Sequence, residues 1–242
     1  MALAWKASWV QALESSNLSP SASNYKQGYL VKIHLLESDG WEKMPALSRE
    51  EVGGLVRLYA EEAAGILGDL SPKLNIIVKP DLPHVNERKG VGGSTYDHEL
   101  LDLTFMSNLP LGVDDFKRYL RETTLHELNH ALYMRFHPRE GRQLWWVTLE
   151  GLGTVFDREY AGGSHEFTDE RYQVNDEMIE WLGSQEEAST RSPNPPENWG
   201  DMMYSTGVWL VDRAIMRSGK SVVQLTRLSC DEILELAEVK TC

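Results

Sequence analysis

The apolar positions of this chain recur with two different periods, and the change of period divides it. Tyr29 to Leu36 (YLVKIHLL) and Lys73 to Pro80 (KLNIIVKP) are short runs rich in aliphatic and β-branched residues, the second closed by proline, and both predict strands. Between them, Leu47 to Leu67 places Val52, Leu55, Val56 and Tyr59 at helical spacing, with Ser48 as N-cap and Glu51 completing a capping box, which predicts a helix. Gly90 to Met106 (GVGGSTYDHELLDLTFM) opens on a glycine-rich turn and then alternates. Leu101, Leu103 and Phe105 fall on one side and Asp102 and Thr104 on the other, as in a strand with one face buried and one wet. Leu111 to Phe136 predicts the longest helix, with Asp114 and Asp115 where the helix dipole favours acid and Pro138 just past the other end. Beyond it the pattern is helical only: about Leu144 to Tyr160, an acidic stretch from Thr168 to Leu182, then Met202 to Met216 and Asp231 to Val239, with a Pro/Asn-rich loop over Ser189 to Asp201. Strands and helices mixed in the first half and helices alone in the second predict an α+β fold of two lobes. Residues 1–27 are then a Ser- and Asn-rich lead-in, 28–137 a lobe with a small mixed sheet and the long helix, and 138–242 a helical lobe.

Composition narrows the functions available. The 242 residues are 41% hydrophobic with eight tryptophans, enough for a sizeable core. Thirty-seven acidic residues against 24 basic ones give a net charge of −13, which repels a phosphate backbone and removes nucleic acid from the expected partners. Cys230 and Cys242 form no CxxC, so neither a disulfide framework nor a thiolate zinc cage is expected, only two reduced thiols. The opening MALAWKASWVQALESS has no long apolar segment before a cleavage site, and no run approaches a membrane span. A soluble, unexported, cytoplasmic protein without a membrane partner is the expectation.

The longest predicted helix carries TTLHELNHALYMRFHP, Thr123 to Pro138. Residues four apart on an α-helix lie about 40° apart around the axis and about 6 Å along it, so His126 and His130 project side by side and two imidazoles can reach one metal ion. Glu127 lies about 100° from His126 and about 60° from His130 on the other side, close enough to touch a water there but poorly placed as a ligand. That is the placement of a general base. Leu125, Leu128, Leu132 and Phe136 form the opposite, core-facing stripe. Catalytic zinc takes three protein ligands and keeps a fourth position open. A third histidine six residues after His130 is excluded, because position 136 is Phe and His137 stands about 10 Å along the axis. A glutamate on the following helix is the other solution, and WWVTLEGLGTVFDREY supplies Glu150 beyond the break at Pro138.

Glu150 sits among Leu149, Leu152, Val155 and Phe156, where an unpaired carboxylate is costly to bury and a metal would relieve that cost. Pairing with an arginine such as Arg142 is the competing expectation. Gly151 and Gly153, each unfavourable by about 1 kcal/mol relative to alanine inside a helix, permit the close helix approach that shared ligation demands.

Together, His126-Glu-Leu-Asn-His130 and Leu149-Glu150-Gly151-Leu152 resemble the motifs of the gluzincin clan of zinc metallopeptidases. The run GVGGSTYDHELLDLTFM ahead of them, with Tyr204-Ser-Thr-Gly207 behind, looks like the predicted bacterial Zn-dependent proteases of the HExxH/EGLA type. The likeness covers about Gly90 to Val211. It implies a zincin-like fold with the HExxH helix across the cleft floor, and one zinc ion bound by His126, His130 and Glu150. It further implies Glu127 as activator of water, the Gly92 to Phe105 strand as the cleft edge that pairs with substrate main chain, and Tyr204 as a helper of the oxyanion. Where several gluzincins carry an acid four residues after the ligand glutamate, to orient a histidine, this chain has Thr154; Asp157 is the nearest acid on that face.

The expected reaction is zinc-dependent hydrolysis of a peptide bond, with a peptide or protein as partner. A zinc-binding module without turnover is an alternative, against which the intact Glu127 speaks, and a metal hydrolase of non-peptide amides or esters would share the site. An edge strand favours a peptide. His34 and His84 lack a spaced partner, His98 lies on the predicted edge strand, and His165 is a substitute oxyanion donor. GVGGS lacks the GK[ST] of a phosphate loop. Trp145-Trp146 is expected in the core and Glu186-Glu187 on a solvated face. For Tyr204 the competing expectation is a buried tyrosine that only packs, on a helix anchored by Trp209, Leu210 and Ala214.

Overall fold

Ser48 starts a helix as its spacing with Glu51 predicts: its hydroxyl accepts the Glu51 N–H at 3.2 Å, and the Glu51 carboxylate accepts the Ser48 N–H at 2.7 Å. The structure, a computed structural model, describes residues 31–43, 47–80, 90–106, 112–163, 182 and 199–239. The lead-in of residues 1–27, almost all of the acidic stretch 168–182, the loop 189–198, His84, His165, Glu186, Glu187 and Cys242 lie outside the described residues. Helix α1 (Arg49–Leu67) joins strands β1 (Lys32–Leu35) and β2 (Asn75–Pro80), which pair in parallel.

The run from Gly90 to Met106 is not one strand but a hairpin of β3 (Val91–Asp97) and β4 (Leu100–Phe105). Asp97 makes the turn, its carboxylate accepting the Glu99 N–H at 2.8 Å, a role aspartate takes readily. β4 pairs in parallel with β2, and β3 lies antiparallel outside it, giving the order β1-β2-β4-β3. Two expectations are corrected here. Of this run only β3 lies at a sheet edge, with β4 in the interior of the sheet. The Asp102 and Thr104 side is not wet either, for these residues are only 3% and 9% exposed. In place of water, Asp102 is paired with the Lys79 ammonium at 2.5 Å and accepts the Tyr96 hydroxyl at 2.7 Å, which satisfies a buried carboxylate.

Five more helices with described bounds follow: α2 (Val113–Phe136), α3 (Gln143–Ala161), α4 (Trp199–Ser218), α5 (Val222–Leu225) and α6 (Cys230–Leu236). The described part of the protein is therefore α+β, with every strand before α2 and only helices after it. α2 packs on β3 and lies against α1 and α3, while α3 lies between α2 and α4. Leu125, Leu128 and Leu132 are fully buried on α2, whereas Phe136, expected to complete their stripe, is 41% exposed because it is the last residue of the helix and overhangs the core. Buried apolar residues from α1, β2, β4 and all the later helices join in one cluster. α3 and α4 cross closely at Gly151 and Gly207, where a Cβ on either would overlap the backbone of the other. No helix among the described residues is long and apolar enough to cross a membrane.

Candidate metal centre

His126 and His130 stand one turn apart on α2 with ring centroids separated by 4.4 Å, as their spacing predicts. α3 brings Glu150 to them. Its Oε2 lies 3.2 Å from His126 Nε2 and 3.7 Å from His130 Nε2. One donor atom from each of the three residues lies within 4.8 Å of the other two, the one such cluster of His, Cys, Asp or Glu found among the described residues. Gly153, one turn after Glu150 and on its face, makes this possible: a Cβ there would lie 2.7 Å from His130 Nε2 and 2.9 Å from His126 Nε2. The small residues thus serve two contacts, Gly153 toward α2 and Gly151 toward α4.

The cluster fits a zinc ion on three counts. Atoms held at about 2.0–2.1 Å around one tetrahedral ion stand about 3.3 Å apart, between the 3.2 and 3.7 Å found here. His130 Nε2 is buried and has no hydrogen-bond partner among the described residues, a cost that a metal bond would remove. The electrostatics also ask for a cation. Burial pushes the His126 pKa down, but hydrogen bonds and charge from Asp157 and Glu150 outweigh it and lift the group to about 10. Burial pushes the Glu150 carboxyl up, yet the two imidazoles and a hydrogen bond from Tyr204 hold it below its ordinary value.

Asp157, the acid singled out on the Glu150 face, lies 3.2 Å from His126 Nδ1. A proton kept on Nδ1 by that carboxylate leaves Nε2 as the donor atom. Tyr204, in the second turn of α4, donates its hydroxyl to Glu150. The charge of Glu150 and then burial raise the Tyr204 pKa well above its usual value, so the hydroxyl keeps its proton.

Glu127 is not part of the cluster but borders it, with its carboxylate 3.6 Å from His130 Nδ1 and against β3. Its Oε2 is 2.7 Å from the Thr95 hydroxyl, and its Cγ packs against Gly93. Neither residue was expected at the site. Gly93 and Thr95 share one face of β3 by strand alternation, which was legible, but only the packing of β3 on α2 says which glutamate they meet. The alternative partner for Glu150 is not observed, since Arg142 pairs with Glu140 and Asp231. His137 binds the Arg227 carbonyl at 3.0 Å and His34 lies 3.0 Å from the Asn75 side chain, both outside the cluster. His98 sits in the β3–β4 turn, 3.7 Å from Glu99. Trp145 is core, and Trp146 lies under the Arg139 guanidinium at 4.4 Å.

Compared with protein-family models, curated proteins and solved structures, the chain matches none. Functional inference therefore rests on the residues and their geometry.

Proposed function

We propose that the protein is a zinc-dependent peptidase of zincin-like arrangement, with His126, His130 and Glu150 as zinc ligands and Glu127 as general base. The observation that carries this reading is the convergence of three donor atoms from α2 and α3 beside a fourth group, Glu127, that is not one of the three but has its carboxylate 3.6 Å from the His130 ring and against β3. Zinc held there would act as a Lewis acid that polarises a carbonyl and makes water acidic enough to ionise near neutral pH.

The chain's own residues supply the rest. Glu127 takes a proton from water as the oxygen bonds to the carbonyl carbon, and passes it to the nitrogen as the C–N bond breaks. Tyr204 brings a hydroxyl that stays protonated and can donate to the oxygen on which charge develops. Asp157 holds His126 with Nε2 toward the cluster. β3 offers the substrate an edge. In its antiparallel pairing with β4, Gly90 accepts the Met106 N–H at 2.9 Å, so Gly92 and Ser94 also turn their main-chain groups inward. Val91, Gly93 and Thr95 then turn theirs to the outer side of β3, which pairs with no strand among the described residues and where an extended peptide would add as a further strand. A main-chain edge beside the base favours a peptide over other amides or esters.

The test uses the full chain reconstituted with zinc and a diverse peptide pool, with and without chelator. One zinc per chain and chelator-sensitive cleavage are expected. Glu127→Gln should keep the zinc and lose about 10²–10⁴ in rate, and Glu150→Ala should lose most of the metal. Cleavage that persists unchanged in Glu127→Gln, or full zinc content in Glu150→Ala, would overturn the assignment.

A further inference from the structure

β3 meets α2 at a contact that neither ligation nor edge pairing requires. The Thr95 hydroxyl lies 2.7 Å from Glu127 Oε2 and 2.9 Å from the Glu127 carbonyl oxygen. Two residues earlier on the same face, a Cβ at Gly93 would lie 2.5 Å from Glu127 Cγ and 2.8 Å from Cδ and Oε1. The glutamate is therefore held from two sides, by a hydroxyl that donates to Oε2 and by bare backbone against the rest of the side chain. His130 Nδ1, 3.6 Å from Oε2, is too far to share the hold. A glutamate free of such contacts samples several rotamers, and a base that must meet one water proton works from only one of them.

We propose that Thr95 is a positioning residue for Glu127: its hydroxyl seats the Oε2 oxygen, and the missing side chain at Gly93 gives the carboxylate its place on β3. This deepens the peptidase reading and rests on Glu127 being its base. The threonine proton does not take part in the transfer. Its single hydrogen has two acceptors within reach, the carboxylate and the α2 carbonyl, so the hydroxyl stays satisfied on either. Gly93 and Thr95 are also, with Val91, residues whose main-chain groups face the side of β3 that pairs with no strand among the described residues. A peptide paired along β3 and the base that acts on it would thus be placed by the same two residues.

The experiment compares Thr95→Val, which keeps the side-chain shape and removes the hydroxyl, with Thr95→Ser, which keeps the hydroxyl, in the zinc-loaded full chain. Zinc content should stay at one per chain in both. Cleavage of the peptide pool by Thr95→Val should fall about 10- to 100-fold in kcat with little change in KM, and Thr95→Ser should recover most of it. Gly93→Ala, whose Cβ displaces the carboxylate on a strand backbone that tolerates alanine, should show the same split and stands in if Thr95→Val does not fold. A second readout needs no activity. Thr95→Val should lower Tm by about 2–4 °C more when Glu127 is present than in a Glu127→Ala background. Equal losses of Tm in the two backgrounds, or a Thr95→Val variant with the kcat of the wild type, would overturn the proposal. If the wild-type protein cuts nothing, the peptidase reading falls instead, and the coupling of Tm alone decides whether Thr95 holds Glu127.

Discussion

At the scale of single residues, what was legible is what one helix or its immediate flanks determine. His126, Glu127 and His130 are ordered by helical geometry alone, and the apolar flanks of Glu150 mark a carboxylate in need of a cation, so their meeting follows once α2 and α3 pack. Asp157 follows too, since it shares the Glu150 face. Thr95 and Gly93 were not legible, because nothing in a strand's own alternation names the helix residue across from it. Tyr204 lies between these cases. Its hydroxyl donates to Glu150, a position from which it can either hold that carboxylate or serve a substrate oxygen. Tyr204→Phe separates the two. A hydroxyl that stabilises the developing charge is worth about 10²–10³ in kcat, so the variant should keep its zinc and its KM and lose turnover by that factor. A variant that binds zinc less tightly but turns over normally when loaded would make Tyr204 a support for Glu150 instead.

Among the elements, helices with complete end signals are the ones whose starts are legible in the sequence. Ser48 and Glu51 place the start of α1, and the capping box of Ser229 with Glu232 places α6 one residue before its expected start. The equivalent Ser221 and Gln224 signal caps α5, a single turn too short to show a helical apolar period. The sequence pattern reads as one strand where the structure has a hairpin, because the turn from Asp97 to Glu99 contains neither glycine nor proline. Polar alternation on β4 misled for a different reason: Asp102 is satisfied by Lys79 and Tyr96, and sequence spacing does not distinguish a paired carboxylate from a hydrated one. The crossing of α3 and α4 has a consequence of its own. Gly151 follows Glu150, the proposed ligand, and Gly207 comes one turn after Tyr204, so their contact sets the distance between the helices that carry both groups. Gly207→Ala puts a methyl group into backbone, not into a yielding side chain. It should destabilise by about 1–3 kcal/mol, or about 2–4 °C in Tm for each kcal/mol in a protein of this size, despite the better helix propensity of alanine. Thermal unfolding followed by circular dichroism tests this, and a variant that melts with the wild type would mean that the two helices do not touch at Gly207.

For the molecule as a whole, the question is whether the sheet-bearing half and the helical half behave as one body. The order of elements made two lobes the natural expectation, yet the buried apolar side chains of α1, β2 and β4 belong to the same cluster as those of α3, α4 and α6. The proposed metal ligands straddle the division, two on α2 and one on α3. An ion that binds only the native state stabilises it by RT ln(1 + [L]/Kd), about 2.7 kcal/mol when free zinc is a hundredfold above Kd. With about 2–4 °C per kcal/mol, that corresponds to roughly 5–11 °C. Because one core joins both halves, zinc should move a single unfolding transition, with tryptophan fluorescence and far-ultraviolet circular dichroism shifting together. Glu127→Gln should show the full shift and Glu150→Ala almost none, since only the second removes a ligand. Two transitions, with zinc moving only one of them, would show that the halves unfold separately and that the shared core does not couple them.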